Sequence, residues 1–231
     1  MKEKISILIA DDQPIIRDGL ATILSLEEDM EIVGKANDGK EAVELARLTN
    51  PSILLIDIRM PVMNGIEAVR EIKRFLPELP VVMLTTFSEQ EYIIDALKAG
   101  ASGYLLKDMD TDQLISSIRS FVSGHIIFPV GIKDFLMNHS STASDGTPTS
   151  EGKSIFLLLE QKGISFSERE KELLDLVLMG KTNEDISKEF YLSVGTIKNY
   201  LGAIYKKIGI NSRSELMAYI YSLLKEHDFL K

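Results

Sequence analysis

Ile53-Leu54-Leu55-Ile56-Asp57 decides the fold: four branched apolar side chains in a row, closed by a carboxylate. A strand that is apolar at every position has no wet face, the mark of a parallel sheet covered on both sides. On either side of it, Ile5–Ala10 and Val81–Leu84 are built the same way, and Glu31–Ala36 and Gly103–Leu106 complete a set of five short runs. The stretches between them are amphipathic and open with helix-start signals: Asp12 ahead of Pro14, Asp38 with Glu41, Ser88 with Glu91, and Asp110 with Gln113. Five such β-α units predict a doubly wound α/β domain with right-handed crossovers.

That domain uses about half of the 231 residues. Asn138–Gly152 follows it, and ten of these 15 residues are Ser, Thr, Gly or Pro with no large apolar side chain among them, a composition that reads as a flexible linker. Ser154–Leu159 turns apolar again and predicts a short helix. Beyond it only helical signals occur: Ser167 with Glu170 and Ser212 with Glu215 as capping boxes, Thr182 and Ser193 as N-caps, Gly180 and Gly209 at helix ends. A tight Tyr191-Leu192 turn between the second and third of four helices predicts a helix-turn-helix unit. The expected division is 1–123, a linking segment 124–163, and an all-α domain 164–231.

Composition narrows the function. Hydrophobic residues make up 45% and charged ones 26%, which excludes a disordered or collagen-like chain. The absence of cysteine excludes disulfides, thiolate metal sites and a cysteine nucleophile. No apolar run approaches the ~18 residues that cross a bilayer, and Met1-Lys2-Glu3-Lys4-Ile5 leads into structure without a signal-peptide core, so a cytoplasmic protein with no membrane partner is expected. The net charge of −9 lies wholly in residues 1–163, because 164–231 carries ten charges of each sign. Within that neutral part, Ser193–Arg213 holds Lys198, Lys206, Lys207 and Arg213 and no acid. A local basic stripe on an acidic protein points to a site.

Ligands of a parallel α/β sheet meet the carboxyl ends of its strands. Here those ends carry Asp11 and Asp12, Asp57, Thr85 and Lys107, and a flavodoxin-like strand order 2-1-3-4-5 makes them neighbours. Three carboxylates in one crevice repel one another and call for a cation, for which Mg²⁺ is suited by its oxygen ligands and its habit of sharing a phosphate. The lysine and threonine supply an ammonium and a hydroxyl for phosphoryl oxygens. A carboxylate left as nucleophile can take a phosphoryl group.

In the C-terminal part, Val194, Ile197, Leu201, Ile204 and Ile208 recur at helical spacing and form one buried stripe. Gly195, Thr196, Lys198, Asn199, Gly202 and Lys206 are left facing outward. In a helix-turn-helix the early part of this helix enters the major groove, where Lys198 can donate to guanine and Asn199 can pair with adenine. Lys206, Lys207 and Arg213 are expected to reach phosphates.

Residues 1–123 resemble the receiver domain of two-component response regulators through Ile9-Ala10-Asp11-Asp12, Ile56-Asp57-Ile58-Arg59-Met60-Pro61, Met63-Asn64-Gly65, Leu84-Thr85-Thr86 and Gly100-Ala101-Ser102-Gly103-Tyr104-Leu105-Leu106-Lys107. The resemblance implies that Asp57 is the phosphoacceptor and that Asp11, Asp12, Asp57 and the backbone carbonyl of Arg59 hold Mg²⁺, with Mn²⁺ as a substitute. It also implies that Lys107 and Thr85 contact the phosphoryl group and that Tyr104 is an aromatic switch. Val62 stands where a glycine is frequent. Residues 164–225 resemble the LuxR-type (NarL/FixJ-type) DNA-binding domain through Ser167-Glu168-Arg169-Glu170-Lys171-Glu172-Leu173-Leu174, Gly180-Lys181-Thr182-Asn183-Glu184-Asp185-Ile186, Gly195-Thr196-Ile197-Lys198-Asn199, Tyr205-Lys206-Lys207-Ile208-Gly209-Ile210 and Ser212-Arg213-Ser214-Glu215-Leu216. It implies a last helix that dimerises, and this chain shows Leu216, Ile220 and Leu223 there at heptad-like spacing.

Together the resemblances imply a transcription regulator, not an enzyme. On that resemblance a sensor histidine kinase is expected to phosphorylate it, after which it is expected to form a homodimer on double-stranded promoter DNA. An aspartate-nucleophile phosphatase is the rival enzyme reading. Such enzymes carry a second Asp two positions after the nucleophile, where this chain has Arg59.

Overall fold

The computed structural model describes residues 4–85, 92–125 and 155–227. The chain divides into two compact units, Met1–Ile127 and Phe128–Lys231. The expected linker at 138–152 and the Ser88 cap lie outside the described residues.

In the first unit, β1 (Ile5–Ala10), β2 (Met30–Ala36), β3 (Ile53–Asp57), β4 (Val81–Thr85) and β5 (Gly103–Leu106) form one parallel sheet in the order β2-β1-β3-β4-β5. Five helices flank it: α1 (Pro14–Leu24), α2 (Gly39–Thr49), α3 (Gly65–Phe75), α4 (Ile93–Ala99) and α5 (Thr111–Val122). The two-residue period of the strands splits the core into two layers. Leu8, Ala10, Leu54, Ile56, Val81 and Met83 meet the side that α2, α3 and α4 cover. Ile7, Ile9, Leu55, Val82 and Leu84 turn the other way, toward Leu24 of α1 and Ile118 and Phe121 of α5. Both faces are therefore dry, which is why β3 and β4 tolerate no polar residue before their last one.

Register brings the strand ends level. Ala10 lies beside Ile56, Asp57 beside Leu84, and Thr85 beside Leu106. The side chains that close these strands consequently open onto one rim.

The caps largely follow local sequence. Asp38 and Asp110 accept from Glu41 N–H and Gln113 N–H, and Asn64 forms a full capping box with Glu67. Asp12 does not cap α1. The N-cap is Gln13 without a side-chain bond, and Pro14 sits in the first turn. The neighbouring Asp11 takes the Gln13 N–H at 2.8 Å instead, which leaves Asp12 exposed on the rim.

The second unit contains α6 (Ile155–Gln161), α7 (Glu168–Leu178), α8 (Asn183–Phe190), α9 (Val194–Ile208) and α10 (Arg213–Glu226). α6 buries Ile155, Leu158 and Leu159, and its Phe156 meets Phe166 edge-on. Ser167–Glu170 and Thr182–Asp185 are full capping boxes. At α10 the box is one-sided: Ser212 caps Glu215 N–H, but the Glu215 carboxylate accepts from Asn211 N–H. Leu216, Ile220 and Leu223 of α10 are buried, at 0%, 0% and 2% exposure, so their heptad-like spacing marks a covered face of the helix.

Candidate functional site

The rim of the sheet gathers Asp11, Asp12 and Asp57, whose ligand oxygens lie within 4.8 Å of one another. Asp11 and Thr85 are fully buried, Asp57 nearly so, and Asp12 is exposed. Lys107 leaves the end of β5 and bridges two of the acids, with Nζ 2.7 Å from Asp57 Oδ1 and 2.9 Å from Asp11 Oδ2. Its backbone N–H bonds the Thr85 carbonyl at 2.8 Å, which fixes where the lysine departs. Burial alone would draw its pKa down, but the hydrogen bonds and charges of Asp57 and Asp11 outweigh that and hold the amine above its ordinary range.

The donor set fits a small hard cation. It consists of carboxylate oxygens from three side chains, and Asp11 Oδ2 is buried with no partner other than the Lys107 ammonium. Few oxygen ligands on one side of an open rim suit Mg²⁺, which retains waters and shares a phosphate.

The loop after β3 is drawn tightly under the site. Gly65 N–H bonds the Ile58 carbonyl at 2.9 Å, and a Cβ on Gly65 would collide with the Asp57 carbonyl oxygen. Only glycine fits that approach. Beside the acids a cavity of about 720 Å³ is lined by Asp12, Arg59, Asn64, Arg70, Tyr92 and Asp95. The Arg59 guanidinium lies 5.4 Å from the Tyr92 ring centre, a cation–π contact that the sequence did not signal. Tyr104 is half-buried on β5, beside Met83 and against the apolar layer.

In the second unit α8, a turn and α9 form the helix-turn-helix. Tyr191 carries the turn in the left-handed region at φ 53° and is 94% exposed. Ser193 caps α9, whose Ile197, Leu201, Ile204 and Ile208 are buried. Lys198, Asn199 and Lys206 are exposed on its outer side, and Thr196 Oγ1 is hydrogen-bonded to Ser193 Oγ at 2.9 Å.

Two of the predicted phosphate contacts are already engaged within the unit. Lys207 Nζ meets both carboxylate oxygens of Glu170, at 2.8 and 2.9 Å. Arg213 is half-buried: its Nη2 donates to the Val177 carbonyl at 2.8 Å and its Nε is buried, so this guanidinium ties α10 to the end of α7. Neither partnership was visible in the sequence, because the partners stand 37 and 36 residues away. Glu170 was read there only as a cap.

Residues 7–119 match the response regulator receiver domain, and residues 164–220 match the bacterial regulatory proteins of the luxR family. The chain is 37% identical to the transcriptional regulatory protein LnrK of Bacillus subtilis (strain 168), over 95% of this chain and 96% of that protein. It is 34% identical to the oxygen regulatory protein NreC of Staphylococcus epidermidis (strain ATCC 12228 / FDA PCI 1200), over 92% and 95%. Among solved structures, the signal receiver domain of the response regulator NarL from Mycobacterium tuberculosis covers 53% of this chain and 98% of its own, with TM-score 0.51 and 31% identity. Among the described residues no helix is long and apolar enough to cross a membrane. An acidic rim on a parallel sheet, a basic helix-turn-helix and relatives matched nearly end to end lead to one conclusion: the chain belongs to the two-component response regulators that join a receiver domain to a LuxR-type DNA-binding domain.

Proposed function

We propose that this chain is a cytoplasmic partner of a sensor histidine kinase with Asp57 as its phosphoacceptor, and that phosphorylation drives homodimerisation and operator binding. The observation that carries this is the Lys107 ammonium bridging Asp57 and Asp11, with a third carboxylate within 4.8 Å. In the reaction the N–P bond of a kinase phosphohistidine breaks, an O–P bond to Asp57 forms, and the imidazole leaves with the bonding pair. Asp11, Asp12, Asp57 and the backbone carbonyl of Arg59 would hold Mg²⁺, or Mn²⁺ in its place. Bound there, the ion would neutralise charge on the transferring phosphoryl oxygens. Lys107 then exchanges its contact with Asp57 Oδ1 for a phosphoryl oxygen, Thr85 donates its hydroxyl to another, and Tyr104 repacks as the switch. The only chemistry of the unit is this self-phosphorylation and its reversal. On the DNA side, Lys198 and Asn199 read bases, Thr196 at the start of the same helix is a further DNA contact, and Lys206 contacts phosphate.

Treatment with Mg²⁺ and acetyl phosphate is expected to add one phosphoryl mass to the wild-type chain and none to Asp57→Asn. Light scattering should show the dimer only for the wild type. Equal phosphorylation of the variant would refute Asp57 as the acceptor.

A further inference from the structure

We infer that Glu170 withholds Lys207 from DNA, so that the basic helix presents fewer phosphate contacts than its lysines number. This rests on the reading that the exposed side of α9 faces DNA. The Glu170 carboxylate is organised before Lys207 reaches it, because its Oε2 accepts from Ser167 N–H at 2.7 Å and Ser167 Oγ at 3.0 Å in the capping box. Lys207 then meets both oxygens, and its ammonium lies 5.4 Å from the Phe166 ring centre. An acceptor already fixed by a cap loses no further side-chain freedom when it pairs, which removes much of the usual weakness of surface ion pairs. The Lys207 hydrogen bond is the leading reason why the Glu170 pKa is lowered, which keeps the carboxylate ionised. Geometry agrees. Lys207 is turned about 100° around the helix from Lys206, toward the start of α7, whereas Lys206 lies opposite the stripe formed by Ile197, Leu201, Ile204 and Ile208. Glu170 thereby tunes charge-driven DNA affinity.

Each lysine that neutralises a phosphate adds about 0.9 to the slope of log affinity against log salt. The test is binding of the full-length chain to a short duplex of arbitrary sequence across a salt series. Glu170→Gln retains the capping box, since glutamine serves equally at that position, but it loses the charge. It should steepen the slope by about 0.9 per bound protomer. Lys207→Gln should leave the wild-type slope unchanged, and the double variant should return to it. A flatter slope for Lys207→Gln alone, or an unchanged slope for Glu170→Gln, overturns the inference. Lys206→Gln serves as the control: it should flatten the slope by about 0.9. If it does not, or if no variant binds DNA, it is the DNA-facing reading of α9 that fails.

Discussion

Val62 holds φ 64°, in the left-handed region, and is 82% exposed. A β-branched residue pays for that conformation with a clash between its side chain and its own backbone. The Met63 N–H bonds the Pro61 carbonyl across this residue at 2.6 Å, but the exposed side chain adds no packing, so the loop under Asp57 is strained at one residue. Val62→Gly should stabilise the first unit by about 1 kcal/mol, read as a higher urea midpoint at unchanged m-value. An unchanged midpoint would show that the loop carries no strain there. Asp175 is a second residue at odds with its surroundings: burial alone raises its pKa from 3.8 to about 6. The folded state thus binds a proton more tightly than the unfolded chain does. Stability should fall as pH rises from about 4 through 6, and the penalty is complete above that. Asp175→Asn should therefore gain about 1 kcal/mol at pH 7, the value for a carboxylate that keeps much of its hydration. The gain should vanish near pH 4, and a gain independent of pH would assign it to packing. Both residues show where sequence reading ends. Asp11, Asp57, Thr85 and Lys107 were legible because a parallel sheet delivers every strand end to one rim, but the positive φ of Val62 and the burial of Asp175 come from tertiary packing.

At the scale of elements, local signals predicted local structure. Ser167, Thr182 and Ser193 cap the helices they precede, and the five strand runs became five strands with ends shifted by at most a residue. What local signals leave out is long-range partnership. Arg213, read as a fourth cation of the basic stripe, also bonds the Val177 carbonyl at the end of α7, and Leu216, Ile220 and Leu223, read as a heptad-like row, are buried. Periodicity states that a helix face is apolar without naming what covers it. The second of the two glycines in α9, Gly202, makes the complementary point. A Cβ on Gly202 would meet nothing within 4 Å, so the helix gives up about 1 kcal/mol relative to alanine for no reason internal to the unit. Gly202 lies between Asn199 and Lys206 along the outer side. Gly202→Ala should raise the thermal midpoint of the second unit while lowering DNA affinity, because the added methyl stands where the groove approaches. Gain of stability with undiminished binding would place the DNA elsewhere.

At the scale of the whole molecule, charge works against the switch. Residues 1–163 hold the entire net charge of −9, and a phosphoryl group brings roughly −1.5 to −2 more. Long-range electrostatics between such a body and a polyanion become less favourable on phosphorylation, so a single protomer gains no DNA affinity from the added charge. On the proposed reading, tighter binding comes from coupling two protomers, whose recognition helices would then occupy half-sites about 34–36 Å apart. The second contact becomes intramolecular, and its effective concentration multiplies affinity without any new contact to DNA. The consequence is a difference between two DNA targets. Using a site recovered by selection from random duplexes, acetyl phosphate should raise affinity at least about tenfold on paired half-sites. On an isolated half-site it should leave affinity unchanged or slightly lower, the more so at low salt where charge is least screened. Asp57→Asn should abolish the first effect and leave half-site binding intact. Equal enhancement on the isolated half-site would mean that phosphorylation acts within one protomer, and coupling between copies would not be the source of the response.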